Sequence, residues 1–543
     1  MFYSISATLV PMIRLSAGAF FALTAYAAVP SGQPNTAIRY QNPAAAIRSF
    51  TLAFGPGQWL SLKAVKNDGS TFQLWIQNPV SPRRYIFQQG AEAPREYRHA
   101  LSGAAVLPST VEFNGLLPQS QAGAVSYLGQ PYESSPPEPA PWSLPNGIRA
   151  VALRPDLLIG PYSNARQKDD TRRWDGSDYE MVRFTRDDYR ALAASGINCV
   201  HVDDEQAVWA DSFGQFYWGA GKTLPFPGML YNPQYLGPAL FIDEPAVHTR
   251  DFILRPRLAK DPAFRRNITP QIAFKAFQDY FDDALGKRAH SVLDLPQVNL
   301  FSWETMPDTA AFQLSRSPNV PEAFVFEPPG RIGARRTLPE FNMTYGTQFA
   351  AADTRVLADL IFSFLRGAAR LANKSWGVSI YGAVDRADAP LWLTRAYDLG
   401  ATRFHFWDNY QLAAVPFSEY TALSRHLANH ASSHPDRDLA GLKRAAEVAI
   451  TLPPGYGLGH THTGRGNLWG LPELNLERTN SAGVTYRTVM SNFFLEAERL
   501  LNAGIAFDSL WELPVLPPTG YREIVRIRED GKVEVESAGR RTL

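Results

Sequence analysis

The sequence predicts a multidomain α/β protein: a (β/α)8-like barrel between an N-terminal β-sandwich and a small C-terminal α/β unit. Three observations predict it. From about residue 150 short apolar strands alternate with helical periodicity, which implies a parallel sheet covered by helices. Nearly every one of those strands ends in or just before an acidic residue. On either side of that region the patterning changes, to period-two alternation upstream and to a strand, glycine-rich loop and long helix downstream.

The chain begins with a segment that reads as a signal peptide over residues 1–27. Arg14 precedes the apolar run Leu15 to Ala28, and Ala25-Tyr26-Ala27 fits the small-x-small cleavage pattern. The run is too short to span a bilayer comfortably. The expected mature protein is therefore secreted or periplasmic and carries no membrane span. At 543 residues the chain exceeds one compact core. Its 53 Lys and Arg balance 52 Asp and Glu, so no net field favours nucleic acid.

Residues 35–140 form the expected β-sandwich. Gln58-Trp59-Leu60-Ser61-Leu62-Lys63-Ala64-Val65 and Thr71-Phe72-Gln73-Leu74-Trp75-Ile76 alternate, with Asn67-Asp68-Gly69 as the turn between them. The proline-rich stretch Ser134 to Pro141 then reads as an extended linker.

The barrel is expected over residues 150–435. Its strands are Leu157–Tyr162, Asn198–Asp203, Ala239–Asp243, Val298–Ser302, Ala323–Phe326, Gly377–Tyr381 and Arg403–Trp407. Helical periodicity intervenes at Asp187–Ala194, Pro270–Leu285, Asp353–Ala372 and Leu391–Leu399. These are seven strands, and the gap in the pattern falls between Gly330 and Trp376. Acidic residues follow at Asp203-Asp204-Glu205, Asp243-Glu244, Glu304, Glu327, Asp385 and Asp408. A barrel gathers such strand ends at one mouth, where barrel enzymes place their chemistry. No glycine-rich phosphate loop follows the first strand, as a doubly wound nucleotide-binding sheet would usually have.

Residues 440–543 read as a reduced flavodoxin-like α/β unit. Glu447 to Leu452 is a strand, Gly455 to Gly470 a glycine-rich loop, and Tyr486 to Ala503 a helix. Tyr521–Ile527 and Lys532–Glu536 pair as a hairpin turned at Asp530-Gly531. This unit offers a surface for self-association, so a homo-oligomer is open.

The sharpest chemical motif is Asp243-Glu244-Pro245, two carboxylates delivered by the apolar strand Ala239 to Ile242. Consecutive residues at a strand end point in different directions, so one faces a cleft while the other orients it. A carboxyl beside a second carboxylate and partly desolvated has its pKa raised, as a general acid at neutral pH requires. Glu304 follows Trp303 at the end of another strand, and Glu327 sits in the turn before Pro328-Pro329. Asp243, Glu244, Glu304 and Glu327 are thus the catalytic candidates, and the spacing leaves open which two act together. In bland terms each is a helix cap or an ion-pair partner for arginine, for example Glu327 with Arg331.

Aromatic residues make up 12% of the chain, with 12 Trp and 22 Tyr. That excess suits stacking on the apolar faces of sugar rings, although aromatic residues also serve as core packing in β-rich proteins. Trp303, Tyr381, His405, Trp407 and Asp408 are the substrate-binding candidates, with Trp407 as a floor and Asp408 as a hydroxyl partner. No cofactor is expected. His460-Thr461-His462 lacks the further ligands of a zinc site, and no His-Glu-x-x-His or paired-cysteine motif exists. The single cysteine, Cys199, lies in an apolar strand and reads as core packing. No Gly-x-Ser-x-Gly elbow is present for serine-based hydrolysis.

With these residues together, the chain resembles glycoside hydrolases with a TIM-like barrel. Asp243-Glu244-Pro245 is similar to the Asp-Glu pair of barrel β-N-acetylhexosaminidases. There, the resemblance implies, Glu244 is the general acid and Asp243 orients the substrate's acetamido group. A broader likeness, over about residues 150–515, is to β-galactosidase-like enzymes carrying a flavodoxin-like domain after the barrel. It rests on Phe364-Leu365-Arg366-Gly367-Ala368-Ala369-Arg370, Ser375-Trp376-Gly377-Val378, Arg395 to Ala401 and Gly504-Ile505-Ala506-Phe507-Asp508. That likeness implies two strand-end glutamates as acid/base and nucleophile, which Glu304 and Glu327 would supply. This sequence departs from it, with Trp303 rather than Asn before Glu304. The expectation is a glycosidase acting on an oligo- or polysaccharide. Two alternatives stay open: a non-catalytic carbohydrate-binding envelope protein, and a polysaccharide lyase.

Overall fold

The structure is a computed structural model. It describes residues 156–172, 180–219, 234, 240–288, 300–303, 306–316, 322–326, 335–351, 353–382, 384–408, 414–458, 466–537 and 540–542, together with eight strands between residues 38 and 132. The expected signal segment, Glu304, Glu327 and the His460–His462 loop lie outside the described residues.

The eight early strands are β1 (Ile38–Gln41), β2 (Ser49–Ala53), β3 (Trp59–Val65), β4 (Thr71–Gln77), β5 (Arg83–Gln89), β6 (Arg95–His99), β7 (Thr110–Asn114) and β8 (Ser126–Tyr132). They pair in a six-stranded sheet, β1-β8-β3-β4-β5-β6, and a separate β2-β7 pair. All these pairings are antiparallel. The β3–β4 register matches Val65 with Thr71, and the expected turn residues Asn67-Asp68-Gly69 lie outside the described residues.

The next part of the chain is built from parallel strands. They are β9 (Leu158–Pro161), β12 (Cys199–Val202), β13 (Phe216–Gly219), β14 (Leu240–Asp243), β15 (Leu300–Trp303), β16 (Glu322–Phe326), β17 (Ser375–Ile380) and β18 (Arg403–Phe406). A small hairpin, β10 (Ala165–Gln167) with β11 (Met181–Arg183), follows the first of them. β16, β17, β18 and β9 form one parallel sheet. The last strand of the series is therefore hydrogen-bonded to the first, with Arg403 opposite Leu158 and Phe406 opposite Pro161. Beyond β9 the order continues to β12, where Asn198 N–H donates to Ile159 O at 3.0 Å, and then to β13. Beyond β16 it continues to β15, which pairs in parallel with β14.

One element differs from the expected series. No strand lies in the described part of residues 330–374; that stretch holds two helices, α8 (Thr337–Tyr345) and α9 (Thr354–Ala372). The further parallel strand is instead β13, Phe216-Tyr217-Trp218-Gly219. It is only four residues long and follows helix α2 (Asp204–Ser212) by a three-residue turn with Gly214 at φ 71°. A run that short carries too little periodicity to separate a strand from a loop.

Alternate residues of these strands enter two different apolar clusters. Ile159, Val200, Val202, Tyr217, Val378, Ile380, Phe404 and Phe406 join the large core shared with the helices. Leu158, Cys199, Phe216, Trp218 and Trp407 form a second, smaller cluster. Period two sends neighbouring side chains to opposite faces, so the strands separate a helix-covered face from a face lined by their own side chains. Gly160 lies on that second face, where a Cβ would sit 1.6 Å from Cys199 O. Only glycine lets the two strands come so close there.

The C-terminal sheet is ordered β20-β19-β21-β22-β23, from β19 (Val448–Leu452), β20 (Phe507–Trp511), β21 (Glu523–Ile527), β22 (Val533–Ser537) and β23 (Arg540–Thr542). β19 runs parallel to β20 and β21, and β21–β22 is the expected hairpin, with Gly531 at φ 79° in its turn. Helix α13 (Tyr486–Asn502) packs on this sheet and on α8. Its core is continuous with that of the parallel-strand unit.

Helix α9 joins the two units. Its hydrophobic stripe is buried from Leu357 to Ala369, and its polar residues on that side are matched one by one by β20. Arg366 Nε donates to Asp508 Oδ1 at 2.7 Å, Tyr521 OH to Asp508 Oδ2 at 2.8 Å, and Ser363 Oγ to Ser509 Oγ at 2.7 Å. Gly367 permits this approach, since a Cβ there would meet Asp508 Cβ at 2.9 Å. Asp508 is wholly buried. Removing one partner of a buried ion pair strands the other charge. Asp508→Ala is therefore expected to cost roughly 3–5 kcal/mol in a denaturant titration. Both units should still unfold in one transition, because they share the core that is lost.

Candidate functional site

The acids expected at the strand ends have different fates. Asp203 is the N-cap of α2: it accepts from Gln206 N–H and is gripped by Arg183, Nε to Oδ2 at 2.7 Å. That cap and that guanidinium, working against partial burial, hold its carboxyl below the usual range. Asp385 accepts from Ala387 N–H and lies 3.7 Å from Arg335. These are capping and pairing roles.

Asp408 is buried behind the end of β18. Its Oδ1 accepts from Ser163 N–H at 2.9 Å, tying the β18 end to the segment after β9. Burial pushes its carboxyl up to about 7, against the pull of that N–H. His405 is also buried, and burial, with Arg403 beside it, drives its imidazole well below the ordinary value, so it is neutral. Trp407 is 4% exposed and stacks on Tyr162 with ring centroids 5.4 Å apart. His405, Trp407 and Asp408, expected to touch a ligand, thus form a packed floor. Tyr381, only half-buried, lies above that floor, its ring 6.4 Å from Trp407.

Three members of this aromatic group escape a reading of strand ends alone: Tyr162, Trp218 and His201. Tyr162 contacts Trp218 as well as Trp407, at 6.2 Å, and His201 stacks on Trp218 at 4.3 Å. Burial lowers the His201 imidazole to about 4, with Asp203 opposing. The rings of Tyr381, Trp407, Tyr162, Trp218 and His201 make one continuous arc over β17, β18, β9, β13 and β12. The signal in the sequence is an aromatic residue or histidine within a residue or two of the end of β9, β12, β13, β17 and β18.

Asp243 and Glu244 end β14, and both are half-buried. Glu244 has φ 31° and ψ 60°, a left-handed conformation that glycine accepts and a glutamate adopts at a cost. The strain is set by its neighbours. β14 ends in register with Trp303 of β15, and Pro245 starts helix α3 (Pro245–His248), so Glu244 alone makes the corner. A six-residue π-helix, Thr249–Leu254, follows directly. Its wide turn is a feature frequent at functional sites. His248 Nε2 lies 3.8 Å from Asp243 Oδ2, and His248 Nδ1 is 2.9 Å from Tyr280 OH on helix α6 (Pro270–Arg288).

Of the remaining candidates, Trp303 is opposite Asp243 in the β14–β15 register, and Glu304 and Glu327 fall outside the described residues. No group of three or more metal-ligating side chains occurs among the described residues, and no described helix is long and apolar enough to cross a membrane. No protein-family model matches the chain, and no curated protein matches it in sequence.

Two predictions come from this geometry. Glu244→Gly should relieve the left-handed strain and leave the protein as stable or more stable, by about 1 kcal/mol, in thermal or urea unfolding. Asp408 and Asp308, the latter buried and pushed up to about 8, both hold protons in the native state that the unfolded chain releases near pH 4. Their contribution to stability is full below about pH 4 and is lost as pH rises toward 7 to 8. Asp408→Asn should therefore gain on the order of 3 kcal/mol relative to wild type between pH 4 and pH 8 in urea midpoints.

Proposed function

We propose that this chain is an exported glycoside hydrolase whose catalytic centre is the mouth of a (β/α)8-like barrel. The observation that carries the reading is the Asp243-Glu244 corner: two half-buried carboxylates at the end of a parallel strand, one of them in a strained left-handed backbone. Strain of that kind persists only where the surrounding structure enforces it, and it clusters at active sites and ligand clamps. The barrel is supported by the pairing of β18 with β9 and by the face that the strands line with their own side chains. A doubly wound sheet would cover both faces with helices.

In this reading Glu244 protonates the leaving oxygen of a glycosidic bond. A second carboxylate, Asp243 directly or through the substrate, stabilises the positive charge that grows at the anomeric carbon. Tyr381 and Tyr162, two half-buried members of the aromatic arc, offer ring faces to a sugar, and Trp407 and His405 support them from below. Glu304 and Glu327 directly follow β15 and β16 in the sequence and stay candidates for the second carboxyl group. The expected substrate is an oligo- or polysaccharide, and the mechanism calls for no cofactor.

Glu244→Gln is isosteric but carries no proton to donate. It is expected to lower turnover of an aryl glycoside at least about 100-fold, with an unchanged circular-dichroism spectrum and urea midpoint. Wild-type turnover in both Glu244→Gln and Asp243→Asn would contradict the assignment.

A further inference from the structure

We infer that His248 and Tyr280 are positioning residues that hold the Asp243 carboxylate in its working orientation, an inference that rests on the reading of Asp243-Glu244 as the site. Asp243 lies at the end of β14, His248 at the end of the short helix α3, and Tyr280 on α6. Three separate elements therefore deliver one line of polar groups. Tyr280 OH lies 2.9 Å from Nδ1, and Nε2 faces Asp243 Oδ2 at 3.8 Å.

The contact between Tyr280 OH and Nδ1 fits either direction, and the Asp243 carboxylate selects between them by favouring an N–H on Nε2. A phenol hydroxyl donates to an unprotonated Nδ1, which leaves the ring proton on Nε2. That tautomer turns an N–H toward the carboxylate rather than a lone pair, which would repel it. At 3.8 Å the contact is longer than a hydrogen bond. It acts as an aligned dipole in the neutral state and as a full ion pair when the ring is protonated. Asp251 also lies within the field of His248, but it is held by Arg250 and Arg255.

The local packing suits positioning better than plain core support. His248 is 28% exposed at its side chain and Asp243 42%. Phe252, from the π-helix, meets the His248 ring edge-on at 5.1 Å while remaining 69% exposed. Tyr280 and Phe252 thus brace the imidazole, which keeps part of its surface exposed, as Asp243 does.

The test separates this inference from the reading it rests on. Uniform 15N labelling resolves the ring nitrogens of the chain's ten histidines, and His248→Gln identifies the His248 pair by its disappearance. In the wild type the expected pattern is a neutral Nε2–H tautomer. Tyr280→Phe should shift the Nδ1 resonance, and Asp243→Asn the Nε2 resonance. With p-nitrophenyl glycosides as probe substrates, Tyr280→Phe should lower kcat by roughly tenfold or more while KM changes by less than about twofold. His248→Gln, which keeps an N–H donor, should retain more turnover than His248→Ala. His248 resonances that ignore both Tyr280→Phe and Asp243→Asn would overturn the inference. An inactive Asp243→Asn beside Tyr280→Phe and His248→Ala of wild-type kcat would overturn the inference and leave the site standing. An Asp243→Asn variant of wild-type activity would remove the site and the inference together.

Discussion

The pairing of β18 with β9 joins residues 403–406 to residues 158–161 across nearly half of the chain, and the positions of the aromatic arc depend on it. That pairing sets β18 beside β9, with one face of the strands carrying the smaller apolar cluster. Close approach of the strands on that face explains why two of its residues are glycine. A Cβ at Gly160 would collide with Cys199 O, and one at Gly377 would lie 2.5 Å from Arg403 O. It also explains why Trp407, Tyr162 and Trp218, from three different strands, stack on one another rather than on the helices.

Polar groups near these strands are sorted by how fully they are compensated. Asp203 is satisfied by a helix cap and an arginine, and Asp508 by Arg366 and Tyr521. Each therefore serves stability. Asp408 and Asp308 are buried with one oxygen bonded to a backbone N–H and the other without a hydrogen-bond partner among the described residues. Proton uptake is the cheapest way to bury such a carboxyl. Asp243 and Glu244 differ from all of these. They are half-buried, the Glu244 backbone is strained, and His248 stands beside Asp243. A histidine neighbour leaves a carboxylate's charge and direction adjustable, whereas a bidentate arginine fixes both.

Much of this arrangement was legible in the sequence. Continuous apolar runs located β9, β12, β14, β17 and β18 within a residue or two, because strands buried on both faces need no polar alternation. The β21–β22 hairpin was legible from Asp530-Gly531, whose turn requires a positive φ that glycine supplies. β13 was not, since Phe216-Tyr217-Trp218-Gly219 is short and aromatic and fits a loop as well as a strand. At the site, strand-end position singled out Asp243-Glu244 and Tyr381, but it could not separate Asp408, His405 and Trp407 as floor from residues that face solvent. That distinction depends on which side of the strand each residue occupies and on what packs above it. The His248–Tyr280 contact spans 32 residues between two helical elements, and no local pattern encodes it.

The most direct measurement is product analysis of the purified protein with a panel of p-nitrophenyl glycosides and unmodified oligosaccharides. A glycosidase releases p-nitrophenol from at least one of them and leaves a new reducing end, seen by NMR, on the matching oligosaccharide. Binding of the oligosaccharides without any cleavage, or cleavage that yields an ultraviolet-absorbing unsaturated sugar, would contradict the glycosidase reading.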